Sequence, residues 1–325
     1  MIDAVKNGCN HPTLIRSRYN RRMLDVAVII VSWNVRNYLA DCLRSVCMEN
    51  SRSGLKVETW VVDNDSTDGT AELVADLFPQ VHLIANDHNP GFGAANNQGM
   101  RAAAASKPRY FFLLNSDTVM GKGALTHLVQ AMDERPQAGM AGARLAYGDG
   151  RFQHSAFAFP GIGQIAFDLF PMPARLYESR WNGRYPRRAF HPDGRPFPVD
   201  FVLGATMLVR ADVVAATGGF DENFHMYCEE IDWGWRIQQA GWEIVVVPKA
   251  EIVHYGGAST RQIPAQSLVN LWQSRAQLYR KHHGRFRNRI AAKLVAMDMT
   301  RKALKTSDPE LKKAYQEIAA IWHGK

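Results

Sequence analysis

The chain has 325 residues, 46% of them hydrophobic, enough for one large folded unit and an appendage. Its four cysteines, Cys9, Cys42, Cys47 and Cys228, form no CxxC pair, so they point to neither a zinc knuckle nor a disulfide framework and fit a reducing, cytosolic compartment. The net charge of +8 is uneven: residues 271–325 hold 13 Lys/Arg and 4 Asp/Glu, which leaves 26 and 27 in the first 270, a balance of minus one.

Residues 1–24 read as a polar, basic extension without the apolar stretch of a signal peptide. No apolar run approaches the ~20 residues needed to cross a bilayer. Residues 26–33 form a continuous β-branched run, the pattern of a strand buried on both faces. Residues 37–48 show helical apolar spacing through Tyr38, Leu39, Cys42, Leu43 and Val46. A second strand is predicted over 57–62, a short helix over 71–78, a third strand over 81–85, a helix starting near Ala94 and a fourth strand over 110–114. This alternation predicts an α/β fold with a mainly parallel sheet, right-handed crossovers and flanking helices. Residues 155–198, rich in Pro, Phe, Tyr and Arg, carry no assignable regular pattern and read as a lid or acceptor segment. Regularity resumes over 201–210 and 243–248, and the tail from Ser267 reads as helices. The chain therefore divides into the extension 1–24, an α/β domain 25–265 and a basic helical extension 266–325.

Ligands of open α/β sheets bind beyond the carboxyl ends of the strands. Polar clusters fall at four such ends: Ser32 with Asn34, then 63–68, 86–97 and 115–117. Ser66 to Gly69 serve equally well as a helix cap, whereas Asp63 and Asn64 sit earlier, where they can read a pyrimidine edge. Gly91 and Gly93 open a helix after the third strand; the dinucleotide fingerprint fails because Asn96 replaces its third glycine. A close backbone approach to a nucleotide and a plain tight turn both fit. Asp117 ends an apolar strand, where a hard cation bridging a diphosphate needs an oxygen ligand. Glu229, Glu230 and Asp232 crowd three acids into four positions among aromatics, which should raise at least one pKa, as a general base requires. His254 follows a strand and precedes a glycine pair, compatible with a ligand or a structural role.

In order, these pieces resemble family 2 glycosyltransferases of the GT-A fold. The resemblance covers residues 26–260. It rests on Val28-Ile29-Ile30-Val31-Ser32-Trp33-Asn34, on Asp63-Asn64 with Ser66 and Asp68-Gly69-Thr70, and on Asn89 with Gly91-Phe92 and Asn96-Asn97. It continues through Asn115-Ser116-Asp117, Gly218-Gly219-Phe220-Asp221-Glu222, Glu229-Glu230-Ile231-Asp232, and His254 with Gly257 and Ser259. It is most similar to the rhamnosyltransferase-like branch, which uses dTDP-rhamnose and related donors in cell-surface polysaccharide assembly.

The resemblance implies an inverting hexosyltransferase acting on a dTDP- or UDP-sugar and a glycan or lipid-linked glycan acceptor. Ser32, Asn34, Asp63, Asn64, Gly91, Asn96, Asn115 and Asp117 would bind the donor. Asn115-Ser116-Asp117 stands where the family has Asp-x-Asp, so Asp117, with His254, would hold Mg²⁺ or Mn²⁺. Glu230 maps to the family base, with Glu229 and Asp232 beside it. The alternatives are a catalytically inactive nucleotide-sugar-binding module and, less well supported, a sugar nucleotidyltransferase, whose glycine-rich basic loop is absent from 34–41. The basic tail interleaves Lys/Arg with Leu271, Trp272, Tyr279, Phe286, Val295, Ile318 and Trp322, the composition of an interfacial anchor. It is expected to dock peripherally at the inner face of the cell membrane, with a solvated, inward-packed helical face as the alternative and no nucleic-acid partner.

Overall fold

The computed structural model describes residues 24–257 and 262–323. Residues 1–23 of the expected extension 1–24 and the motif residue Ser259 lie outside the described residues. The first half builds in the predicted alternation: β1 (Val26–Ser32), α1 (Arg36–Ser53), β2 (Val57–Asp63), α2 (Thr70–Leu77), β3 (His82–Ala85), α3 (Phe92–Ala103) and β4 (Tyr110–Asn115). There follow β5 (Thr118–Met120), α4 (Ala124–Asp133) and β6 (Ala138–Ala146).

Residues 155–198, where no pattern was expected, break into short pieces. They hold β8 (Ala156–Phe157), α5 (Ile162–Leu169), α6 (Ala174–Tyr177) and the start of β9 (Phe197–Val199), just after β7 (Phe152–Gln153). Apart from α5, whose Ile162, Ile165 and Leu169 keep a helical spacing, none is long enough to show a hydrophobic period. The single run expected over 201–210 is two strands, β10 (Phe201–Val202) and β11 (Thr206–Arg210), split at Leu203-Gly204-Ala205. The chain then adds α7 (Ala211–Thr217), α8 (Glu229–Gln239), β12 (Glu243–His254), α9 (Pro264–His282), α10 (Arg285–Lys305) and α11 (Pro309–His323).

The main sheet runs β3-β2-β1-β4-β11-β6-β12-β5. Its first four strands are parallel, and β11 enters antiparallel between β4 and β6. Val26 to Ile30 are fully buried because helices cover both faces. Val28 and Ile30 point to the layer holding Leu39, Leu43 and Leu125; Ala27 and Ile29 point to the layer holding Met100, Met207 and Trp233. Register sets the site. Ser32 lies opposite Asp63, Val31 opposite Asn115, and Asp63 opposite Ala85, so the carboxyl ends of β1, β2 and β4 finish in line. The antiparallel β12/β5 pairing puts His254 opposite Thr118, beside the turn that carries Asp117.

The C-terminal helices form a third layer. Trp272, Tyr279, Val295, Ile318 and Trp322 bury against one another and against Ile165 and Leu169 of α5. Tyr279 donates to the Gly161 carbonyl at 2.6 Å and Trp322 to the Trp272 carbonyl at 3.0 Å. Much of the apolar content that suggested an anchor is thus internal packing; Phe286 alone of the seven residues cited for it is strongly exposed.

Candidate active site

The strand ends open onto a cleft of about 270 Å³. Ser32, Asn64, Asn115, Asp117, Glu229, Glu230 and His254 line it, and Leu203, Gly204 and Ala205 close one side. Seven residues that the sequence scattered over more than two hundred positions thus face one space.

Asp117 Oδ1 lies 3.3 Å from His254 Nε2, and both side chains are more than nine-tenths buried. The Asn115 amide nitrogen is 3.5 Å from the same imidazole nitrogen, while its Oδ1 has no hydrogen-bond partner. The Tyr255 N–H donates to the Asp117 carbonyl at 3.0 Å and ties the end of β12 to this turn.

Across the cleft, α8 begins at the two glutamates. The residues before it, Tyr227 and Cys228, both adopt the left-handed region, with φ of 70° and 66°. That conformation costs a non-glycine residue about 1–3 kcal/mol and needs support from its surroundings. Helix α9 supplies it: Leu278 packs on Cys228 and Phe224, and Ser274 donates to the Met226 carbonyl at 2.7 Å. Burial raises the Glu229 carboxyl well above the usual range, with a further push from the Glu230 charge. Burial likewise raises Glu230, to about 7. A helix N-terminus favours carboxylate charge, so desolvation outweighs the dipole here.

Gly91 takes φ of 95°, and a Cβ there would collide with the His225 carbonyl, which accepts the Phe92 N–H at 3.2 Å. Only glycine lets the start of α3 reach the loop before α8. Asn89, which caps the Gly91 N–H at 3.0 Å, also accepts from Asn64 at 3.2 Å.

The remaining sequence candidates do not line the cleft. Asn34, at φ of 52°, receives the Thr67 N–H at 2.8 Å and gives its own N–H to the Ser66 hydroxyl at 2.8 Å. Asp63 accepts that hydroxyl at 2.6 Å; burial raises its pKa. The two residues brace the loops after β1 and β2 against each other. Asn96 donates to the Phe92 carbonyl inside α3. Asp232 is fully buried and takes Arg236, Lys281 and His282 at 2.7–2.8 Å. Its pKa is lowered by those partners despite the opposing effect of burial. Arg236 in turn donates to the Thr217 and Gly219 carbonyls, and Asn97 pairs with both the N–H and the carbonyl of Phe220. Asp232 therefore anchors α8 to α9 and to the Gly218-Gly219 loop. Trp33, part of the first resemblance motif, also lines the cleft, as do Met226, Tyr227 and residues 203–205, none of which was a sequence candidate.

A mainly parallel sheet with a cleft at its carboxyl edge, lined by a carboxylate pair and an Asp–His pair, is an α/β architecture with its candidate site where open sheets bind ligands. Residues 27–188 match the model of glycosyl transferase family 2. The chain is 32% identical over 258 residues to the N-acetylglucosaminyl-diphospho-decaprenol L-rhamnosyltransferase of Mycobacterium tuberculosis, covering 76% of this chain and 81% of that protein. The O-antigen biosynthesis protein RfbC of Myxococcus xanthus is 27% identical over 82% of this chain, which spans 20% of that longer protein. Among solved structures, GalNAc-T7 with UDP, GalNAc and Mn²⁺ superposes with a TM-score of 0.56 at 14% identity, covering 92% of this chain and 55% of that one. The mannosyltransferase PcManGT from Pyrobaculum calidifontis, with GDP-Man and Mn²⁺, gives 0.55 at 15% identity, covering 93% and 85%. The chain belongs to glycosyl transferase family 2 and is a rhamnosyltransferase-like member of it. Its fold is the GT-A type with a C-terminal helical layer.

Proposed function

We propose that this glycosyltransferase moves rhamnose or a similar hexose, with inversion, from a dTDP- or UDP-sugar to a glycan or lipid-linked glycan acceptor. The product belongs to a cell-surface polysaccharide, and the reaction takes place at the inner face of the cell membrane. The observation that carries the reading is the placement of Glu230, with its raised pKa, in the same cleft as the Asp117–His254 pair.

In this reading the nucleotide lies along Ser32, Asn64 and the start of α3, with Asn34 and Asp63 holding the loops that shape its seat. Glu230 takes the proton of an acceptor hydroxyl. The freed oxygen forms a bond to the anomeric carbon as that carbon's bond to the diphosphate oxygen breaks on the opposite side. Glu229 keeps the neighbouring position uncharged while its pKa stays high, which prevents two adjacent carboxylates from repelling the developing alkoxide.

The residues present fit a divalent cation. Two ligands sharing one Mg²⁺ or Mn²⁺ at about 2.1 Å each sit about 3 Å apart, close to the 3.3 Å between Asp117 Oδ1 and His254 Nε2. Mg²⁺ commonly takes only one or two carboxylates from a protein and completes its shell with substrate phosphates and water. A bound cation would offset the charge of the departing diphosphate. The test is product formation from dTDP-rhamnose and UDP-sugars, with Mg²⁺ or Mn²⁺ against chelator, and the anomeric configuration read by NMR. A retained configuration, or no turnover of any nucleotide sugar, would overturn the reading.

A further inference from the structure

Helix α10 buries Ala291, Val295, Ala296 and Met299 in the helical layer. A helix that buries one face should present a polar face opposite. The outer face of α10 is polar but not uniformly so: three large apolar side chains stand among its Lys and Arg. Phe286, Met297 and Leu304 are 76%, 61% and 81% exposed. Their spacing of i, i+11 and i+18 aligns them in one stripe, and Lys293 at i+7 falls on the same line. Arg289 and Arg301 flank it. Between 285 and 305 the chain has seven Lys/Arg and one acid, Asp298, which is buried and held by Arg301 and Lys302. The outward stripe therefore carries no negative charge. A groove between α10 and α11, floored by Ala303, Ala319 and Ala320, opens beside Leu304.

Single exposed apolar residues are ordinary, but three in register along five turns, flanked by cations, are not. We propose that the outer face of α10 is a docking surface for an anionic lipid leaflet. Phe286, Met297 and Leu304 would enter the acyl boundary, and Arg289, Lys293 and Arg301 would meet lipid phosphates. Charge complementarity commits the surface to lipid: a second copy of this face would set the same cations against one another. No described helix is long and apolar enough to span a bilayer, so the contact lies in the interface plane. This assignment stands independently of the reaction proposed above.

The test is co-sedimentation of the full chain with phosphatidylcholine vesicles containing or lacking phosphatidylglycerol, at low and high salt. The chain should bind the phosphatidylglycerol vesicles, and 0.5 M salt should weaken that binding. Reversing two charges (Arg289→Glu with Lys293→Glu) should cut it on the order of tenfold or more. The triple change Phe286→Ser, Met297→Ser, Leu304→Ser should cut it comparably, with an unchanged thermal midpoint because all three side chains are exposed. The salt dependence of the unaltered chain tests the same point without any substitution. Equal binding to neutral vesicles, or full binding by either variant, would overturn the proposal. So would a concentration-dependent dimer that the triple change dissolves, which would assign the face to a second copy.

Discussion

Glu230→Gln removes the proposed base while keeping its shape. Burial in the cleft penalises the charge of the Glu230 carboxyl and pushes its pKa up to about 7. A base with that pKa is about half ionised at pH 7, about nine-tenths at pH 8 and about one-tenth at pH 6. The wild-type kcat/KM should therefore rise about tenfold from pH 6 to pH 8. Loss of a general base costs on the order of 10² to 10⁴ in rate, about 3 to 5 kcal/mol of barrier. Glu230→Gln should show that loss, and its residual rate should lose the ionisation near 7. Donor affinity, followed by nucleotide-induced thermal shift, should remain within about twofold. The assay is initial-rate formation of the glycosylated acceptor across pH 5.5 to 9. An active Glu230→Gln together with an inactive Glu229→Gln would move the base to the neighbouring acid. A flat pH profile in the wild type would refute the titration argument itself.

Asp117→Ala should abolish turnover and remove any difference in donor binding between Mn²⁺ and chelator, measured by calorimetry; His254→Ala should weaken the same difference. Glu229→Gln should stabilise the fold at pH 8 more than at pH 5, read from thermal midpoints. The folded Glu229 pKa is raised, so the unfolded chain loses its proton first and stability falls as pH rises between the two values. Asp232→Ala should cost about 3–5 kcal/mol in denaturant unfolding, the effect of stripping one partner from a buried charge network. Its thermal midpoint should fall while kcat of the folded fraction falls less than in Glu230→Gln.

The strands were legible because β1 and β4 are buried on both faces and use unbroken apolar runs, which no helix of that length would need. The strand-end clusters were legible because parallel topology forces them onto one edge. Side-chain direction was not. Glu230 and Asp232 stand two positions apart, and on a helix that spacing turns them to different faces. Asp232 accordingly reaches Lys281 and His282, partners from a helix some fifty residues on, while the glutamates face the cleft. Asn34, Asp63 and Asn96 show the same limit: their polarity is spent inside the protein, and only the hydrogen bonds reveal it. The composition of the tail allowed two readings. Trp272 and Trp322 beside Lys and Arg read as an anchor, yet a third layer packing on α5 needs the same composition. What separates the two uses is which face of α10 each residue occupies, and that depends on where α9 and α11 lie.

The hydrogen bonds also sort the candidates by cost. Asn34, Asp63, Asn96 and Asp232 have partners within the fold, so replacing them should disturb loops and helix anchors before chemistry. Ser32 Oγ, Asn115 Oδ1, Glu229 Oε2 and His254 Nδ1 are buried without a hydrogen-bond partner, and all four residues line the one cleft. An unpaired buried polar atom is unfavourable in a folded core. A core built only for stability would replace such atoms with apolar groups of similar shape. Their concentration at the carboxyl edge of the sheet, opposite a strained turn at Tyr227 and Cys228 that a separate helical layer holds in place, is what a preorganised polar site requires. The basic tail thus has a second task besides any contact outside the protein. Through Leu278, Ser274, Lys281 and His282, α9 fixes where the carboxylates of α8 begin, so shortening the tail into α9 should damage the cleft even where every lining residue is intact.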